Sequence, residues 1–140
     1  MVVIMRKIKK IIVHCSATPE SMDVGSEEIR RWHKERGWSD IGYHDVIRRD
    51  GTLEKGRDIS IAGAHAKGHN FSSIGVCLIG GVDGNGKGED NFAIIQKQNL
   101  RVYLDFMALR FPNAEILGHR DIEGVKKECP CFNVREWYNG

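Results

Sequence analysis

The sequence predicts an α/β fold: a single domain whose central mixed β-sheet is flanked by helices. Two short β-branched runs, KIIVHC (Lys10–Cys15) and IGVCLI (Ile74–Ile79), read as strands buried on both faces. Two longer stretches carry apolar residues at steps of three and four, the helical period. Strands and helices alternate along the chain, which suits one sheet with helices packed on it. At 140 residues the chain has single-domain length and can bury roughly two thirds of its unfolded surface, so disulfide staples are not required.

Each element has a local cause. After the first strand, SATPES is rich in turn formers. From Ser26 the segment SEEIRRWHKERG offers a serine cap, Glu27 and Glu28 in the first turn, Lys34 and Arg36 in the last, and Gly37 just past the end. Ile29, Trp32 and the stem of His33 form its narrow apolar stripe. Gly42–Arg48 and Thr52–Lys55 read as a hairpin, with Asp50-Gly51 supplying the positive φ of a tight turn. GGVDGNGKG after Ile79 reads as loop. Within Phe92–Phe111, Leu100, Tyr103, Leu104, Met107 and Phe111 share one helical face, and Pro112 stops the run. Ala114–Leu117 is a last short strand, Gly118–Pro130 a loop, and Val134–Tyr138 a final turn of helix.

Composition removes several classes of function. A net charge of +2 and a pI near 8.4 lack the basic footprint of a nucleic-acid binder. The cluster Arg6, Lys7, Lys9, Lys10 reads as a solvated terminus. No apolar run reaches the ~20 residues that span a bilayer. The start, MVVIMRKIKKIIVHC, lacks the apolar core and cleavage site of a secretory signal, so the expectation is a protein made in the cytoplasm without a membrane anchor. In a reducing cytosol the four cysteines are thiols or metal ligands rather than a disulfide framework.

Three residues sit where metal ligands usually sit. His14 ends the first strand, His119 follows the last short strand, and Cys129 lies in a proline-braced loop. Strand ends converge on one rim of an open sheet. Two imidazoles and a thiolate suit zinc, and three protein ligands leave a fourth position open, as in catalytic sites. Cys15 follows His14 and points to the opposite face, and Cys77 alternates inside an apolar strand. That leaves Cys129 or Cys131, with Pro130 favouring Cys129 by restricting its backbone. Tyr43 and Lys127 can handle protons and hold an oxyanion. His65 and His69 stand among small residues in AHAKGHN, a loop suited to substrate contact.

VHCSAT (Val13–Thr18), EIRRWH (Glu28–His33), KERGWSDIGYH (Lys34–His44), RDGTLEKGRD (Arg49–Asp58), HAKGHNFSSIGVCLIGG (His65–Gly81), HRD (His119–Asp121) and KECPCF (Lys127–Phe132) come in order along nearly the whole chain. Together they closely resemble the zinc N-acetylmuramoyl-L-alanine amidases, which are grouped with the peptidoglycan recognition proteins. The resemblance implies that fold, with His14, His119 and Cys129 holding one zinc ion and Tyr43 and Lys127 as catalytic residues. It implies cleavage of the amide between N-acetylmuramic acid and L-alanine in peptidoglycan by a monomeric phage or prophage endolysin that acts on the wall after release. Trp38, Ile41, His65 and Asn70 are the expected groove contacts. Three rivals remain: a peptidoglycan-binding module without catalysis, a thiol hydrolase using Cys15 or Cys77, and a structural zinc site with Cys131 as fourth ligand.

Overall fold

The computed structural model describes residues 6–140; the first five residues of the basic start lie outside the described residues. The chain forms strands β1 (Lys10–Cys15) and β2 (Thr18–Pro19), helix α1 (Ser26–Glu35), and strands β3 (Asp45–Ile47), β4 (Leu53–Lys55), β5 (Ser73–Leu78) and β6 (Gly81–Val82). Helix α2 (Ile94–Arg110), strand β7 (Glu115–Gly118) and helix α3 (Val134–Asn139) complete it. Five strands form a mixed sheet in the order β4-β3-β5-β1-β7, parallel except for the β3–β4 hairpin.

The sheet separates two apolar layers because side chains alternate along a strand. Ile11 and Val13 face α2, where they join Leu100, Tyr103, Leu104 and Met107, the stripe that the helical period selects. Val134 of α3 belongs to the same layer. On the opposite face Val46 and Cys77 pack with Ile29 of α1 and with Ile41. Ile12 and Leu117 pack there with Ala66 and Ile122 from two long loops. Those loops lie over the ends of β1 and β7 and wall the site.

The differences from expectation are local. Gly25 caps α1, and Ser26 is instead its first residue, with its N–H donated to Glu54 Oε1 at 2.9 Å. Glu28 closes the turn by accepting from the Gly25 N–H at 3.1 Å. SATPES and GGVDGNGKG are not entirely loop, because β2 and β6 pair as a second, two-stranded sheet. The hairpin turn is as read, with Gly51 at φ +88°. Arg6 is not solvated: it is buried and donates to four backbone carbonyls, those of Ile59, Asn70, Phe71 and Ser73. Buried Gln96 anchors α2 to the sheet by donating to the Ile79 carbonyl at 2.9 Å, a contact no periodicity announces.

Asp45 and Tyr103 form a buried polar bridge between β3 and α2, the hydroxyl donating to Asp45 Oδ2 at 2.7 Å. Burial pushes the Asp45 carboxyl up, and the Tyr103 hydroxyl pulls it partly back by stabilising the carboxylate. The net shift is upward, so folding favours the protonated form and stability erodes as pH rises through the folded value. Tyr103→Phe removes the donor and raises the carboxyl further. The expected loss is about 1.5–3 kcal/mol near neutral pH. A smaller loss is expected below the ordinary carboxyl value of 3.8, where Asp45 is protonated in either variant. Urea unfolding at both pH values checks this, and a pH-independent loss would contradict it.

Candidate metal centre

Register brings the two histidines together. Val13 of β1 lies opposite Gly118 of β7, so His14 and His119, each one residue further on, are neighbours at the sheet's edge. Their ring centroids are 4.5 Å apart. Cys129 arrives from the following loop, which is held by the Arg120 N–H donating to the Cys129 carbonyl at 2.8 Å. Cys129 Sγ also accepts the Cys15 N–H at 3.1 Å. One ligand atom from each of His14, His119 and Cys129 lies within 4.8 Å of the others, and among the described residues no fourth His, Cys, Asp or Glu joins them.

The donor chemistry fits a metal. Burial, then the charges of His65, His119 and Lys127, holds His14 well below the ordinary imidazole range. Burial and Lys127 lower His119 as well. Both rings therefore stay neutral with a lone pair to give, the form in which histidine binds a cation. An incomplete tetrahedral set of two imidazoles and one thiol matches zinc with an open position.

Cys131 stands apart from this set. Its backbone takes φ +72°, and its thiol points to the Gly81 carbonyl at 3.2 Å. Of the two thiols of the Cys-Pro-Cys segment, Cys129 is the one grouped with the two histidines. Cys15 lines the same cavity as the grouped donors but is not among them, and its hydrogen bond to Cys129, then burial, pushes its thiol up. Cys77 is fully buried and likewise pushed up by burial, a poor setting for a nucleophile.

The three donors open onto a cavity of about 610 Å³. Tyr43 enters it from the segment before β3, its ring centroid 5.1 Å from that of His14. Burial pushes the Tyr43 phenol well up, so it remains protonated. Lys127 and Trp38 also line the cavity. Arg36 and Lys67 are further cations of the lining, which contains no carboxylate. These two were not singled out by spacing, and only the folded cavity gives them a common address.

Three expected groove contacts have different surroundings. Ile41 is fully buried beneath the site. Asn70 lines the cavity, yet its Oδ1 accepts the N–H groups of His65 and Ala66, each at 2.9 Å. His65 lines the cavity too, with Nδ1 2.8 Å from His14 Nε2. His33, read as part of a helix stripe, is buried and its Nδ1 accepts the Gly42 N–H at 2.9 Å. That bond anchors α1 to the segment carrying Tyr43. Burial, then Arg36 and Arg57, lowers His33 to about 4.

A mixed sheet carries, under a cationic cavity, a two-histidine, one-thiol cluster that could hold a metal ion, an arrangement suited to a hydrolase. The family model for N-acetylmuramoyl-L-alanine amidases matches residues 5–132, and the chain belongs to that family. It is 48% identical over 133 residues to the endolysin of Klebsiella phage KP32, covering 95% of this chain and 87% of that one. It is 49% identical over 128 residues to the endolysin of Escherichia phage T7, covering 91% and 83%. Among solved structures, the N-acetylmuramoyl-L-alanine amidase LysC from Clostridium intestinale URNW superposes with a TM-score of 0.80 at 27% identity, covering 94% of this chain and 82% of that one.

Proposed function

We propose that this endolysin-like amidase hydrolyses the amide joining N-acetylmuramic acid to L-alanine in peptidoglycan, with one zinc ion held by His14, His119 and Cys129. The convergence of those three donors within 4.8 Å, with Tyr43 and Lys127 on the same cavity, carries the reading. The chemistry such an ion supplies is Lewis acidity, which brings the pKa of water toward ~7 and polarises a carbonyl.

The remaining work falls to side chains. The Lys127 ammonium faces the cavity and stabilises the oxyanion that forms when the lactyl carbonyl is attacked. The Tyr43 hydroxyl, kept protonated by burial, orients the nucleophile or moves a proton beside it. Trp38 offers an aromatic wall to the muramoyl peptide, with the Arg36 guanidinium 5.9 Å over its ring. His65 and Asn70 shape the cavity floor. No helix among the described residues is long and apolar enough to cross a membrane. In this reading the protein works as a monomer and acts on the cell wall, as the phage endolysins it resembles are named for.

The test is to incubate the protein with isolated peptidoglycan, with and without a strong zinc chelator and with zinc restored, and to quantify new L-alanine amino termini. Termini that vanish with chelator and return with zinc are expected. A folded, zinc-loaded sample that binds the polymer and releases none would replace the enzyme reading with that of a binding module.

A further inference from the structure

The bond between His14 and His65 decides which nitrogen of His14 can meet a metal ion. His14 Nε2 lies 2.8 Å from His65 Nδ1, and His65 Nε2 lies 3.3 Å from Ser73 Oγ. A neutral imidazole has one N–H donor and one lone pair, so this chain of three side chains has two self-consistent proton arrangements. In the first, Ser73 donates to His65 and His65 donates to His14 Nε2. The proton of His14 then sits on Nδ1, and neither nitrogen has a lone pair free for a cation. In the second, His14 Nε2–H donates to His65 Nδ1, and His65 Nε2–H donates to Ser73 Oγ. His14 Nδ1 is then unprotonated.

We infer that His65 is a positioning residue for His14: by accepting the Nε2 proton it fixes Nδ1 as the metal-facing nitrogen and holds the ring in place. The inference rests on the proposed metal centre and extends it by one residue and one tautomer. The surroundings hold His65 rigidly to this task. The two rings meet edge to face at 88°, with centroids 4.8 Å apart. A Cβ at position 75 would lie 2.6 Å from His65 Cγ and Nδ1, so β5 has room for the ring only because residue 75 is glycine. Asn70 Oδ1 holds the His65 N–H at 2.9 Å, and Ser73, the end of the chain, is fully buried. Partners that orient a metal-binding histidine in this way are worth about 10- to 100-fold in metal affinity.

The experiment compares zinc affinity in the parent, His65→Asn and His65→Leu, by competition with a chromophoric chelator, with circular dichroism to verify folding. Asparagine keeps an acceptor where Nδ1 stood, whereas leucine keeps bulk alone. The expected result is about 10- to 100-fold weaker binding for His65→Leu and binding within a few-fold of the parent for His65→Asn. Folded His65→Leu that binds zinc as tightly as the parent would overturn the inference, as would His65→Asn no tighter than His65→Leu. Nitrogen-15 spectra of the zinc-loaded parent give a readout free of substitution. His65 protonated on Nε2 and bare on Nδ1 is expected, and the reverse tautomer would overturn the assignment. A folded parent that binds no zinc would remove the metal reading itself, a failure separate from that of His65.

Discussion

Replacing Cys129 with alanine is expected to lower amide hydrolysis by about 1000-fold or more, even with zinc in excess. Metal catalysis supplies several kcal/mol of transition-state stabilisation, and each 1.36 kcal/mol is a decade in rate. Two neutral imidazoles without the thiolate form a far weaker site, so the ion is lost along with its chemistry. Cys131→Ser is the matched comparison, because the Cys131 thiol faces the Gly81 carbonyl rather than the donor cluster. It is expected to hydrolyse within a few-fold of the parent. Zinc content and initial rates of the two variants measured together decide the matter. Full activity in Cys129→Ala with loss in Cys131→Ser would exchange the roles of the two thiols.

The second large effect is expected at Lys127. Removing one oxyanion donor typically costs about 100- to 1000-fold in kcat. Because the interaction belongs to the transition state, kcat and kcat/KM should fall together in Lys127→Ala while KM stays near the parent value. Zinc affinity should hold or rise. Lys127 depresses His14 and His119 by repelling a proton, and the same positive charge opposes a metal cation. A variant that loses zinc as well as rate would make Lys127 part of the metal cradle rather than an oxyanion donor.

Much of this architecture is legible in the sequence because it is written in local periodicity. The β-branched runs become β1 and β5, and the three-four spacing of Leu100, Tyr103, Leu104 and Met107 becomes the buried face of α2. His14 and His119 could be paired in advance because each adjoins a strand end, and parallel register then places them side by side. What escapes is whatever depends on contacts across the fold. β2 and β6 are two residues each and exist only because they meet. His65 reads as a loop histidine available to substrate. Its bond to His14 spans 51 positions, and the only local trace of it is the glycine at position 75 that admits the ring. Arg6 looks like one more surface cation, since a chain of carbonyl acceptors has no sequence signature.

That buried arginine links the outer end of the fold to its centre. Its guanidinium gathers the carbonyls of Ile59, Asn70, Phe71 and Ser73, four points on the stretch that also presents Asn70 Oδ1 and Ser73 Oγ to His65. The part acts as a keystone: it touches no ligand and bears on the stones that do. Trimming the chain through residue 6 therefore reaches the metal centre from behind, loosening the floor under His65 while leaving every donor in place.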